Sequence, residues 1–271
     1  MCSAIDDNKD IGGNKKEEWD ERWAHTALME NCIPGPVWRK RVILGLLRRY
    51  AVRASLVADF GCGCGVFLSY LAQTMPEVQL VGVDQSETGV AYAQRQTPSA
   101  KFFLGDLSQS KKVFLEELRN KVDVGVCSEV LEHMENPAAA LQNIKSCLVP
   151  REGTLIVTVP GGPLTPYKKN LGHLRHYTRK SLEALLRQAG FDVIDTLAAG
   201  FPFYNIYELL IWLRGRRLIK EVDAAHSDFS GMPAGVRAAS AALRFLMRFN
   251  INAVPWGWQI IAAARKRQEG S

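Results

Sequence analysis

The sequence predicts a doubly wound α/β protein: an open, mainly parallel sheet of seven strands with helices on both faces. Three observations carry this expectation. Short β-rich apolar runs alternate with helical stretches between residues 56 and 200, a glycine-rich turn DFGCGCG follows the first run, and Asp84 and Asp106 close the second and third. The composition suits such a fold, since 47% hydrophobic and 23% charged residues over 271 positions is the balance of a globular chain with a substantial core.

Residues 1–18 mix Asp, Asn, Gly and Lys with almost no apolar side chains and are expected to form a flexible tail. Residues 19–50 read as an N-terminal helical cover. From Pro36, VWRKRVILGLLRRY repeats Val42, Ile43, Leu46, Leu47 and Tyr50 at helical spacing and carries Arg39, Lys40, Arg41 and Arg48 as a basic face. The core, 51–200, begins with LVADFG (56–61) and continues with VQLVGVD (78–84), KFFLGD (101–106), VDVGVCS (122–128) and GTLIVTVP (153–160). Between these strands lie the helical stretches VFLSYLAQTM, ETGVAYAQRQ, KVFLEELRN and PAAALQNIKSCL. Strands and helices of these lengths imply βαβ units. A further helix, SLEALLRQAGF, is stopped by Gly190 in the manner of a left-handed cap, and FDVIDTLAAG (191–200) follows as the sixth strand. Residues 201–256 form an apolar helical insert, and 257–271 hold the last strand, WQIIAAARK (258–266), with a basic tail.

One stretch tests the reading of a water-soluble chain. Between Asp195 and Arg214 the only charge is Glu208, and the run approaches the length of a membrane span. Gly200, Pro202 and Asn205 interrupt it, so a strand running into an apolar helix is expected instead. Thirty-four Lys and Arg against 28 Asp and Glu give +6, a diffuse excess that fits anionic ligands or lipid headgroups and no nucleic acid. The opening MCSAIDDNKD has neither a basic nor an apolar leader region, which predicts a cytoplasmic protein. The six cysteines include the pair Cys62 and Cys64, but no second pair stands at zinc-finger spacing, and a disulfide framework is not expected.

The glycine run sits between a strand and a helix, where a backbone can approach a ligand on a helix N-terminus. Its spacing, G-x-G-x-G, is not that of a pyrophosphate loop, which argues against a nicotinamide dinucleotide. Asp84 at the end of the second strand can accept two ribose hydroxyls, and Asp106 at the end of the third can reach an adenine amino group. At this point the sequence resembles the class I S-adenosylmethionine-dependent methyltransferases, over residues 38–200 and 257–266. The resemblance is carried by DFGCGCG, VGVDQS, GDL, VCSEVLEHMENP, GTLIVTVP and GHLRHYTRKSLEALLRQAGF, and is nearest to the small-molecule branch that includes the ubiquinone-pathway O-methyltransferases. It implies S-adenosylmethionine as cofactor, with Asp59, Gly61, Gly63 and Gly65 under its methionine part. It gives Asp84 and Gln85 to the ribose, Asp106 and Leu107 to the adenine, and Ser128 to the flank. Trp19, Trp23 and the helix VWRKRV resemble the family's cover, in which Arg39 would pair with the methionine carboxylate.

Methyl transfer from a sulfonium draws its driving force from the cofactor, so the protein must align the acceptor and, for a hydroxyl, remove its proton. Two histidines are the candidates. His173 in GHLRHYT is the expected base, with Arg175, His176 and Tyr177 as acceptor contacts and Thr178 as the start of the next helix; Lys168 and Lys169 read as solvated loop charges. His133 ends Glu129-Val-Leu-Glu132-His133, where Glu129, Glu132 and His133 can hold a hard divalent ion such as magnesium, or His133 is a hydrogen-bonded histidine beside a helix start. In the ubiquinone-pathway relatives this arrangement is associated with a metal. The insert can roof a hydrophobic pocket, join two copies into a homodimer, or lie in a membrane interface with Arg214, Arg216 and Arg217 at the headgroups. Each use points to a small, greasy or aromatic acceptor.

Overall fold

The computed structural model describes residues 20, 30–50, 52–110, 112–224 and 234–268, and of 215–224 the backbone only. The expected tail, Trp19, Trp23 and the side chains of Arg216 and Arg217 lie outside the described residues.

The described chain runs α1 (Pro34–Tyr50), β1 (Leu56–Phe60), α2 (Val66–Thr74), β2 (Gln79–Asp84), α3 (Glu87–Gln96), β3 (Lys101–Leu104), α4 (Val113–Leu118) and β4 (Val124–Ser128). After a single 3-10 turn, Leu131–His133, follow α5 (Pro137–Cys147), β5 (Thr154–Pro160), α6 (Pro166–Asn170), α7 (Arg179–Gln188), β6 (Phe191–Ala199), α8 (Phe203–Ala224), α9 (Ala234–Leu246) and β7 (Gln259–Lys266). The strands form one sheet in the order β3-β2-β1-β4-β5-β7-β6. From β1 the chain steps outward to β2 and β3, then returns to lay β4 on the other side of β1. The crevice for a ligand therefore opens at the carboxyl ends of β1 and β4. In register Asp59 stands beside Gly82 on one side and Val126 on the other.

Seven strands form as predicted, but β7 pairs antiparallel with both β5 and β6. Alternation of period names the strands, while the direction of the last depends on how the long insert returns the chain between two neighbours already in place. The segment runs buried on almost every residue, QIIAAARK, since it is covered on both faces.

Helices cover both faces as the apolar stripes require. On one face Phe114, Leu141, Ile144, Leu182 and Leu186 pack over Val83, Val157 and Ala262. On the other, Ile43 and Leu47 of α1, Leu68 and Leu71 of α2 and Tyr204 of α8 pack over Val57, Val124 and Ile156. Thr178 caps α7 with Ser181 in a reciprocal box, as expected of it, and Gly190 follows at φ 86°. Five cysteines are described and all are free thiols. Among the described residues no helix is long and apolar enough to cross a membrane.

Candidate active site

The loop after β1 is shaped by two glycines that no other residue could replace without movement. Gly61, at φ 87°, lies so close to Val130 that an added Cβ would stand 2.3 Å from its Cγ2. At Gly65, with φ 73°, a Cβ would fall 2.5 Å from that of Ala93. Gly63 points its N–H at Asp84, whose Oδ2 accepts it at 2.7 Å, and Oδ1 accepts the N–H of Ser86 at 2.9 Å. Asp84 therefore ties the glycine loop to the start of α3. Burial pushes the Asp84 carboxyl up, and these N–H groups with that of Gln85 pull it back. Asp59, buried beneath the loop, is raised to about 8 by burial and then by Asp84. Asp20 reaches the same corner, accepting from Ser86 Oγ at 2.6 Å and Thr88 N–H at 3.0 Å.

A cleft of about 270 Å³ runs from this loop, past Asp59, Gly61, Cys62 and Cys64, to His133, His173, Tyr204, Tyr207 and Glu208. Its walls come from α1 (Arg39, Lys40, Ile43), the end of β4 (Ser128, Glu129), α6 (Tyr167, Lys168) and α8 (Ile211). Trp38 of α1 lies 4.8 Å from Tyr204 of α8, ring to ring, so the two covering helices lean on each other above the sheet.

Glu129 stands at the turn out of β4 with φ 58°, a left-handed conformation that a non-glycine residue adopts at a cost and that marks functional sites. Its surroundings hold it there. Oε1 accepts from Gln259 Nε2 at 2.8 Å and Thr158 Oγ1 at 3.3 Å, and Oε2 faces Arg39 Nη1 at 3.4 Å. With the Thr158 hydroxyl donating to Glu129, the 2.8 Å contact between Ser128 and Thr158 must be a donation from Ser128. Burial works against the Arg39 charge, but Glu129 chiefly offsets it and holds the guanidinium protonated. Arg39 thus faces the cleft, as expected, but with a carboxylate partner already in the protein.

Glu132 is different: its side chain is fully buried, and neither carboxylate oxygen has a hydrogen-bond partner. Burial first, and Glu129 second, push it well above the usual carboxylate range. One ligand atom each from Glu132, His133 and His173 lies within 4.8 Å of the others. The structure brings His173 into the set expected of Glu129, Glu132 and His133, and engages Glu129 elsewhere.

The histidines form an ordered series. His176 Nδ1 lies 3.2 Å from the Gly162 carbonyl, which can only accept, so Nδ1 carries the proton. Burial lowers the His176 pKa, and the neutral ring then offers Nε2 to His173 Nδ1 at 3.1 Å. His173 must donate from Nδ1, and its Nε2 becomes the basic nitrogen. His133 donates from Nδ1 to the Gly172 carbonyl at 3.1 Å, and its ring stands edge-on to His173 at 4.7 Å.

Several residues expected to touch cofactor or acceptor have partners within the protein. Asp106 is half-buried and accepts from Ser108 and Gln109, while Leu107 is buried and offers its carbonyl to Asn143. Neither these nor Asp84 and Gln85 line the cleft. Tyr177 is buried and its hydroxyl donates to the Leu131 carbonyl at 3.2 Å; Arg175 donates to the Glu135 carbonyl at 3.4 Å. Both anchor the loop, because the chain must re-enter the core at Tyr177 to start α7. Lys168 is no solvated loop charge: its side chain is 14% exposed and pairs with Glu208 at 2.8 Å across the cleft mouth. Sequence reasoning missed Tyr204, Tyr207 and Glu208 as cleft residues, although a lone carboxylate in an apolar run was a signal for Glu208.

Residues 38–196 match the family described as "Methyltransferase domain". Among curated proteins, a ubiquinone biosynthesis O-methyltransferase of Pseudomonas aeruginosa is 24% identical over 176 residues, 59% of this chain and 75% of that one. A small RNA 2'-O-methyltransferase of Arabidopsis thaliana is 30% identical over 137 residues, 46% of this chain but only 14% of the plant protein. Among solved structures, the [4+2]-cyclase SpnF superposes with a TM-score of 0.58 at 22% identity, covering 85% of this chain and 81% of that one. Phosphoethanolamine N-methyltransferase 2 of Haemonchus contortus, solved with S-adenosyl-L-methionine, superposes with a TM-score of 0.57 at 19% identity over 91% of this chain and 56% of that one. The match over 38–196, more than half the chain and spanning the glycine loop, Asp84 and the Glu129–His133 turn, places this protein in the methyltransferase-domain family as a class I S-adenosylmethionine-dependent methyltransferase.

Proposed function

We propose that the protein methylates a hydroxyl group on a small, hydrophobic or aromatic acceptor, with His173 as the general base. The single observation that carries this reading is the series of contacts from the Gly162 carbonyl through His176 to Nδ1 of His173 in the cleft, which assigns the His173 proton to Nδ1 and makes Nε2 its basic nitrogen. Tyr204, Tyr207, Leu171 and Ile211 supply aromatic and apolar wall beside it.

The residues present fit the cofactor. The cleft runs past the glycine loop at Asp59, Gly61, Cys62 and Cys64, and the buried Asp84 carboxylate holds that loop through the Gly63 N–H. Asp59, Gly61, Gly63 and Gly65 would hold the methionine part, Asp84 with Gln85 the ribose, Asp106 with Leu107 the adenine, and Ser128 the flank. Bound S-adenosylmethionine supplies an electrophilic methyl group on a sulfonium. Arg39, held by Glu129, offers its remaining N–H groups to a carboxylate. His173 takes the acceptor proton at Nε2, and His176 with the Gly162 carbonyl keeps that nitrogen unprotonated beforehand. Lys168 and Glu208 close the mouth and keep water from the reacting atoms.

The expected magnesium does not fit the residues as they stand. Glu129 is engaged by Gln259, Thr158 and Arg39, and one carboxylate with two imidazoles is a softer donor set than the oxygen cage magnesium takes. A first-row transition ion would suit Glu132, His133 and His173, and the buried Glu132 carboxylate, without a hydrogen bond and with His133 Nε2 3.9 Å away, favours that as a second reading, in which His173 ligates rather than abstracts.

Release of S-adenosylhomocysteine against a panel of phenols, catechols, hydroxylated lipids and amines tests the acceptor class. His173→Ala is expected to keep cofactor affinity and lose about 10²–10⁴ in turnover. Unchanged turnover removes His173 from the chemistry. Loss of activity on exhaustive chelation, restored by a transition ion, moves the assignment to the second reading.

A further inference from the structure

The helix that roofs the cleft has a second apolar face. Tyr204, Tyr207 and Ile211 of α8 turn inward. Ile206, Leu209, Leu210 and Leu213, at three- and four-residue spacing, turn outward and are exposed, Leu213 by 73%. The turn that follows α9 extends the same surface. Trp256, 63% exposed, is tied to the first turn of α8: its carbonyl accepts from Asn205 Nδ2 at 2.7 Å, and its ring lies 5.7 Å from that of Phe201. Ile251 bridges to Phe201, and Phe249, 61% exposed, stacks edge-on with Phe245 at 5.6 Å.

Charge decides what this surface meets. Segments 203–214 and 234–257 carry Arg214, Arg237, Arg244 and Arg248, and a single carboxylate, Glu208, which is turned inward to Lys168. Arg248 lies over the Phe245 ring at 5.8 Å, so one cation sits within the aromatic patch itself. Aromatic and aliphatic side chains framed by arginines, without an exposed carboxylate among the described residues, are complementary to an anionic lipid layer. A second copy is a poorer occupant, because a two-fold interface sets each patch against its own image, arginines against arginines, with no exposed acid in the patch among the described residues. We infer that the outer face of α8 and the 245–256 turn dock on an anionic lipid bilayer. The consequence for catalysis rests on the proposed function: docking sets the roof of the acceptor pocket against lipid, and the acceptor is an amphiphile taken from the bilayer.

Flotation of the full chain with vesicles tests the docking. Binding to vesicles of phosphatidylcholine with phosphatidylglycerol should exceed binding to phosphatidylcholine alone by about tenfold and weaken with salt. The triple substitution Leu213→Ser, Phe249→Ser, Trp256→Ser should abolish it, while S-adenosylmethionine affinity, measured by calorimetry as the check on folding, stays unchanged. Arg248→Glu should weaken it in the anionic vesicles alone. No vesicle binding, or binding indifferent to phosphatidylglycerol, overturns the proposal; so does a dimer in light scattering that the triple substitution dissociates, which would assign the face to a second copy. Vesicle binding without turnover of any hydroxylated amphiphile would leave the docking standing and overturn the acceptor assignment alone.

Discussion

Asp84 has two duties, and a substitution there is felt twice. It would hold the ribose and it already holds the Gly63 and Ser86 N–H groups, so Asp84→Ala leaves two buried donors without an acceptor as well as removing the ligand contact. Calorimetry should show cofactor affinity reduced by at least about thirtyfold, the sum of ligand and loop effects at ~1–3 kcal/mol each. Asp84→Asn, which keeps one acceptor oxygen, should lose less. Asp59 makes a prediction in pH. Its folded pKa of about 8 lies above the unfolded value of 3.8, so the folded chain binds more protons between those limits. Its contribution to stability is whole at acid pH and is lost as pH rises through about 8. A sulfonium brought near it favours the charged form, so S-adenosylmethionine should bind with proton release near pH 7. Calorimetric heats should then vary with buffer for S-adenosylmethionine more than for the uncharged S-adenosylhomocysteine, and Asp59→Asn should remove the difference.

At the scale of elements, the glycine loop shows why its sequence was legible. Gly61 is required by its positive φ in a strand-turn-helix, a local demand that the chain answers with glycine, and the closeness of Val130 reinforces it. Gly61→Ala should destabilise the protein by about 1–3 kcal/mol in urea unfolding, through strain at positive φ and the clash with Val130. Cofactor affinity should fall with it. The loop after β5 was legible only in part. GHLRHYT was recognised as a site, and Thr178 as its cap, but which side chains enter the cleft depends on how the chain re-enters the core. Tyr177 goes inward to Leu131, Arg175 goes back to Glu135, and His176 turns to Gly162 and His173. Apart from His173, three residues from His176, the partners that set those directions lie 14 to 46 residues away, and no periodicity encodes them.

For the molecule as a whole, the cleft is a joint between the sheet, α1 and the insert, and the Lys168–Glu208 pair is its clasp. Both side chains are mostly shielded, so the pair is worth more than a surface bridge, and removing one partner strands the other. Lys168→Met should raise the acceptor KM several-fold and increase amide exchange in the first turns of α8, with cofactor affinity little changed. Equal exchange rates in the two proteins would show that the roof is held by packing alone, through Trp38 against Tyr204.

The sequence by itself determined the strands and helices of the doubly wound core, the glycine loop, the acids at the ends of β2 and β3, and the family, because each is written in residues close together in the chain. The tertiary structure alone decided the antiparallel seventh strand, the exchange of Glu129 for His173 beside Glu132 and His133, the ionic clasp, and the two-faced roof helix. Each of these depends on where a segment arrives after a long excursion. Gln259 meets Glu129 across 130 residues and Lys168 meets Glu208 across 40, and such meetings are settled by packing and burial rather than by local spacing.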